Sequence, residues 1–404
     1  MDYTPYSPPP DNCSFSSGFS LCSTAATSIF LPSAYALLFL TALPGNTLSL
    51  WVFLRCISTT SPTHVYLSHL SISNLLLSLT TPFLAAYYAW GSVWTLSGVL
   101  CQLVLHGITP MLHINIYISL MILTWVALSR FAALIQRTHA SRPSVCKTLL
   151  PHGFFTRLSR ASFASRVCAT VWVLAVGACV PVAVYYSVNE AMSAKAAAPG
   201  GDGEAEGGGS AEVCYNPEVE IGGPLSAAFC AIAIFMFFFF YLLVLLSYMT
   251  VLRHIRRSRR NTVIATSQGL LGRVFRNIVV IQVVLSVCLL PYHIFKPVFI
   301  SLALHHHQRT NPAAYNIWSP CHPLSTFVEV KNCLLLLAAL RGSTDPAMYF
   351  LLDKTFRRQT LVLLESSRSS PGSRAAGSPG QRAEQLGDGN TATATADLSH
   401  ESVL

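Results

Sequence analysis

Residues 225–252 read LSAAFCAIAIFMFFFFYLLVLLSYMTVL, and the next eight, RHIRRSRR, contain five arginines. The apolar run holds no Asp, Glu, Lys, Arg or His. Roughly 20 such residues suffice for an α-helix to cross the hydrocarbon core of a bilayer. No water is available there to bond the backbone, so a single spanning segment satisfies its own N–H and C=O groups only as a helix. The arginines that end the run mark the cytoplasmic side.

The same pattern repeats on both sides of this stretch. Seven runs meet the length requirement, near 28–54, 64–90, 100–131, 167–187, 225–252, 277–304 and 329–352. Of the 404 residues, 52% are apolar and only 11% are charged, against about 25% charged in soluble domains, which excludes an ordinary soluble enzyme. The formal net charge of +9 raises the question of nucleic acid. The basic residues fall in blocks between apolar runs, without the interleaved aromatics on which bases stack, so the bilayer and not nucleic acid is the expected partner.

Lys and Arg in the connecting loops set the orientation. Arg55 follows span one, Arg137 to Arg166 lie between spans three and four, and Arg253 to Arg260 lie between spans five and six. These loops, with Lys354, Arg357 and Arg358, are read as cytoplasmic. The opposite loops carry Glu190, Asp202, Glu204, Glu206, Glu212, Glu218 and Glu220 against Lys195 and Arg309. The expected architecture is an all-α integral membrane bundle of seven helices over 28–352, with the N-terminus outside and the C-terminus inside. Residues 1–27 form an extracellular tail with no basic residue, so span one is expected to act as an uncleaved signal anchor. Residues 188–224 form a long extracellular loop with a low-complexity insertion, Lys195 to Ala211. Residues 353–365 suit an amphipathic helix on the inner leaflet, and 366–404 a disordered cytoplasmic tail.

Landmarks within this frame occur in a fixed order. They are Gly45-Asn46 in span one, Pro82 in span two, Trp94 in the first outer loop, Ser129-Arg130-Phe131 ending span three, Trp172 in span four, CLLPY at 288–292 and DPAMY at 345–349. On these residues the chain resembles the rhodopsin-like (class A) G-protein-coupled receptors over 28 to about 365. The PYH and DPxxY variants resemble the branch of nucleotide, lysophospholipid and protease-activated receptors. The strings GNTLSLWVFL, YLSHL, VYYSV, IFKP, STDP and FLLDKTF are similar to an orphan receptor of the family, so the resemblance implies no established ligand.

The resemblance implies a plasma-membrane receptor signalling through heterotrimeric G proteins, with Arg130 meeting the G protein. It also implies a disulfide between Cys101 and Cys214. A second bridge, Cys22 to Cys321, is possible on the oxidising side, and Asn12 opens a glycosylation sequon that is either used or idle. Cys101 lies 29 positions before Arg130, about a helical turn more than is usual in the family. Gly107 to Pro110 is where the excess is expected to be absorbed.

Ionisable residues inside a span are expensive, so each is a functional candidate. No Asp or Glu occurs between residues 12 and 189. Leu112 stands where amine receptors of the family place an aspartate, so no cationic amine is expected. The outer halves instead present His113, His293, Lys296 and Lys331. Two readings of them stand. They line a pocket for an anionic ligand, as the related branch does at the places of Lys296 and Lys331; or the lysines snorkel to the interface, with Glu329 neutralising one and His113 bonded inside the bundle. His305 to His307 read as a solvated loop and not a metal site.

At mid-membrane the family holds a sodium ion between an aspartate in span two and polar groups in spans three and seven. Here Asn74 takes the aspartate's place, Ser119 is retained, and Arg341 precedes Asp345 by four residues. A guanidinium one turn from a carboxylate on the same face can pair with it, so Arg341 is expected to replace the ion. Ser129 replaces the acid beside Arg130, which predicts a looser inactive latch. Tyr248 and Tyr349 are expected to meet near Arg130 in an active state. Ser402-Val403-Leu404 fits capture by a PDZ-type partner as well as an idle tail. Neither a nucleophile with its base nor metal-ligand spacing marks an enzyme or a cofactor site, and the odd span count argues against a transporter. A receptor-shaped scaffold with little coupling is the alternative that survives.

Overall fold

The computed structural model describes residues 24–57, 61–92, 108–141, 156–197, 224–261, 265–309 and 323–368. Among them there is no strand. Seven long helices follow in order: α1 (Leu31–Trp51, continued by π-turns at Ala26–Phe30 and Val52–Cys56), α2 (Pro62–Ala89), α3 (Thr109–Ser141), α4 (Ala161–Ala197), α5 (Pro224–Asn261), α6 (Ala265–Arg309) and α7 (Ser325–Leu352). A shorter α8, Lys354–Arg368, follows a one-residue break at Asp353.

Six of these are long and apolar enough to cross a membrane, over Ala26–Cys56, Pro62–Ala89, Met111–Arg130, Ala161–Ala178, Ala227–Thr250 and Val279–His305. The seventh, α7, is diluted by Glu329, Lys331, Arg341 and Asp345. That dilution falls where the chemistry is.

Several helices outrun the apolar spans. α3 continues to Ser141 where 131 was expected, α4 covers 161–197 where 167–187 was expected, and α5 and α6 extend to Asn261 and from Ala265. An apolar run registers only the hydrocarbon thickness, whereas Arg, Ala and Lys keep a helix going into water. For the same reason α8 reaches Arg368, three residues into the expected tail, and α4 takes in Lys195 to Ala197 of the insertion. The helical part of α3 that is described begins at Thr109, preceded by a π-type turn at Ile108.

α1 packs on α2 and α7, α2 on α4, α5 on α6 and α6 on α7, while α3 touches α2, α4, α5 and α7 and so lies at the centre. Its Ile114, Ile116, Ile118, Leu120 and Ile122 are all buried. α5, the most apolar helix, is the least buried, with Phe235, Phe239 and Leu246 turned outward. Lipid removes the usual inside-outside rule, since it solvates such side chains as well as a core does. Close approach therefore depends on small residues. A Cβ on Gly45 would meet the Pro346 ring at 3.1 Å, so glycine lets α1 lie against α7. α2 ends in a left-handed turn at Gly91 (φ 82°) and Ser92 (φ 63°), whose N–H groups bond the Tyr88 and Tyr87 carbonyls. Prolines interrupt α1 (Pro44), α2 (Pro82), α6 (Pro291, Pro297) and α7 (Pro346).

Candidate functional site

Three polar centres lie along the bundle. The middle one is a closed network from four helices. Arg341 and Asp345, one turn apart on α7 and 1% and 0% exposed, pair through Nη1 and Oδ2 at 3.0 Å. Asn74 of α2 donates to the same Oδ2 at 2.8 Å and to Asn46 Oδ1 at 3.1 Å. The Arg341 Nη2 donates to Asn74 Oδ1 at 3.3 Å and to the Ser119 hydroxyl of α3. Asn115, one turn before Ser119, donates to Ser73 Oγ at 2.9 Å and Asn74 Oδ1 at 3.2 Å. Asn46 closes the ring through Nδ2 to the Ala42 and Gly342 carbonyls, both at 2.9 Å. The network sums to zero charge, and only Asp345 Oδ1 and Arg341 Nε remain buried without a partner in it.

Thus the expected Asn74, Ser119, Arg341 and Asp345 are brought together. Asn115 was missed and Asn46 was read only as a landmark. The spacing of Asn115 to Ser119 in an otherwise apolar helix was the available signal.

The outer centre is open by comparison. His113 of α3 and Tyr292 of α6 approach at 3.2 Å between Nε2 and the phenol oxygen. Lys296, one turn beyond, is 8% exposed, and its Nζ lies 5.2 Å from the centre of the Tyr292 ring. His293 is 0% exposed, stacks on Phe237 of α5 at 3.5 Å between ring centres, and meets Tyr117 of α3 edge-on. Lys331 sits on α7, with Nζ 5.2 Å from the Phe299 ring. Glu329, the proposed neutraliser, spends its Oε1 elsewhere: it accepts from the Thr24 and Thr27 hydroxyls and from the Thr27 N–H at 3.1 Å.

The cytoplasmic centre surrounds Arg130. Ser129 beside it donates to the Leu158 carbonyl at 3.5 Å. Tyr248 of α5 and Asp353 both feel the charge of Arg130. The hydroxyls of Tyr248 and Tyr349 are buried and unpartnered, so the two tyrosines are placed near this end without being joined. Asp353 was not singled out as a site residue, yet it ties three elements: its Oδ2 meets His64 Nε2 of α2 at 3.2 Å, and its Oδ1 caps α8 by accepting the Phe356 N–H at 3.0 Å. Burial pushes this carboxyl up, but the His64 and Phe356 hydrogen bonds, with the charges of His64 and Arg130, hold it below the usual range. Phe53, Tyr349 and Phe356 pack around the junction, with ring centres 5.1 to 5.9 Å apart.

Cys22, Cys101, Cys214, Cys321, Asn12 and Ser402 to Leu404 lie outside the described residues. Cys56, Cys168, Cys230, Cys288 and Cys333 are free thiols.

Comparison with known proteins accounts for this arrangement. The profile of the 7 transmembrane receptor (rhodopsin family) matches residues 45–349. The chain is 36% identical over 345 residues to "Probable G-protein coupled receptor 82" of Homo sapiens, covering 85% of this chain and 94% of that one. The Mus musculus protein of the same name is 35% identical over 349 residues, covering 86% and 97%. The "Uracil nucleotide/cysteinyl leukotriene receptor" of Homo sapiens is 25% identical over 345 residues, covering 85% and 81%. The chain therefore belongs to the rhodopsin family of G-protein-coupled receptors, multi-pass proteins of the plasma membrane that signal through heterotrimeric G proteins.

Proposed function

We propose that this receptor answers to an anionic ligand held between α3, α6 and α7 by Lys296, with His113, His293 and Lys331 around it. One observation carries the reading. Lys296 is buried, and the carboxylates nearest it in the bundle whose side chains are described are engaged elsewhere: Asp345 with Arg341, Asp353 with His64 and Glu329 with the threonines. A buried ammonium without a counter-charge is costly, and an anion entering the site removes that cost. The relatives are consistent with this, since one is named for a uracil nucleotide, whose phosphates are anionic.

Signalling from that site runs past the mid-membrane network, where Arg341 takes the place that a sodium ion holds in family members. The bridges Cys101–Cys214 and Cys22–Cys321, a glycan on Asn12 and a PDZ-type partner at Leu404 belong to the same reading. The scaffold alternative draws on Ser129, which leaves Arg130 without its neighbouring acid.

The test begins with ligand-free activation of each G-protein class, using Arg130→Ala as control. An Arg130-dependent signal then serves to screen anionic, neutral and cationic compounds. Anionic agonists whose effect is lost in Lys296→Met are expected. Cationic agonists indifferent to that substitution would refute the anion site, and no Arg130-dependent signal in any class would favour the scaffold.

A further inference from the structure

Lys296 specifies the sign of the ligand's charge; the histidine one turn before it specifies more. The Nδ1 of His293 lies 2.9 Å from the Leu289 carbonyl oxygen. A carbonyl has no proton to give, so Nδ1 carries the proton and donates. A second proton on Nε2 would place an imidazolium one helical turn from the Lys296 ammonium, with both groups buried. His293 is therefore a neutral imidazole whose Nε2 presents a lone pair. That atom is buried without a partner among the described residues, and the ring is 0% exposed. Stacking on Phe237 at 3.5 Å, with the rings 5° from parallel, fixes the plane in which the lone pair points.

We infer that His293 is a specificity-determining acceptor: the ligand carries, about one helical turn from its negative charge or on the charged group itself, an O–H or N–H that fills Nε2. The inference rests on the anion reading above and narrows it. A hydrogen-phosphate monoester, or a carboxylate bearing a hydroxyl or amine, satisfies both groups. A sulfate ester or a plain carboxylate satisfies Lys296 alone and leaves Nε2 unfilled, and a site that leaves a buried polar group unpaired discriminates strongly.

Inorganic hydrogen phosphate and sulfate isolate the difference, since somewhat above neutral pH both are mainly small divalent oxyanions and only the first has a proton to donate. The full-length receptor, purified in detergent, is titrated with each at matched ionic strength while its thermal unfolding is followed. Half-saturation by phosphate is expected at a concentration at least tenfold below that of sulfate. His293→Phe, which keeps the stacking but removes the acceptor, is expected to bring the two anions to parity. His293→Gln, which retains an acceptor, is expected to keep the preference, so loss in the first variant and survival in the second separates acceptance from packing. Lys296→Met is expected to abolish both responses above the general salting effect. Equal response to both anions in the unmodified receptor, or a preference that persists in His293→Phe, overturns the acceptor role and leaves the anion site standing. No response to either anion beyond that of Lys296→Met overturns the anion site and this inference with it.

Discussion

Arg341 and Lys296 are both buried in this bundle, and they are treated in opposite ways. Arg341 is enclosed: Asp345 balances its charge through Nη1, and Asn74 and Ser119 accept from Nη2. Lys296 has an aromatic face and, among the residues whose side chains are described, no carboxylate. A guanidinium offers a planar fork that several acceptors can fill at once, whereas an ammonium is a compact point charge that one anion can match. The charge of the mid-membrane network is balanced within the chain, whereas the proposed anion site draws its balancing charge from outside.

The contrast predicts opposite signs for the same kind of substitution. Arg341→Met strands Asp345 as a buried carboxylate, and breaking such a pair costs about 3–5 kcal/mol. Its measured consequence is a lowered Tm, reduced surface expression and altered basal signalling. Replacing both partners, Arg341→Met with Asp345→Asn, is expected to recover most of that loss, because no charge is left unpaired. A double variant as unstable as the single one would show that Arg341 matters by its volume and not by its charge.

Lys296→Met, in contrast, removes a charge that no carboxylate among the described side chains compensates. It is expected to leave stability unchanged or to raise it by about 1 kcal/mol, while response to an anionic agonist is lost. Thermal unfolding of the ligand-free receptor together with a signalling assay reads both. A fall in Tm comparable to that of Arg341→Met would mean that Lys296 has an internal partner and that the contrast is false.

The sequence made some of this comparison visible and hid the rest for physical reasons. An apolar run such as 225–252 has few alternatives to a spanning helix, so the all-helical membrane bundle could be read directly. Arg341 and Asp345 stand out because lipid makes charge expensive and because four-residue spacing is short-range information. Asn115 and Asn46 did not stand out, since their role depends on α1, α2 and α3 meeting at one depth, which spacing along one helix does not encode. Asn115→Leu, removing two side-chain hydrogen bonds to Ser73 and Asn74, is expected to cost about 1–2 kcal/mol, between the two lysine and arginine effects in size. Asp353 was hidden differently. Read along the chain it belongs to an amphipathic helix, and only the fold reveals that it faces His64, 289 residues away.

Asp353 extends the comparison to the cytoplasmic end, where the balance of charge is partial. Its carboxyl is held below the usual range. A depressed carboxylate contributes stability that is fully present above its unfolded value, near 3.8, and is lost as pH falls through the folded one. The contribution is therefore constant from neutral pH down to about pH 5. Asp353→Asn keeps a residue able to cap α8 but loses the charge that His64 and Arg130 feel, and is expected to cost about 1 kcal/mol at pH 7. Thermal unfolding of the two proteins across pH 3 to 7 checks this. The gap between them should hold down to about pH 5 and then close as the native aspartate takes up its proton. A gap that stays unchanged down to pH 3 instead would show that the Asp353 charge does not stabilise the junction of α2 with α8.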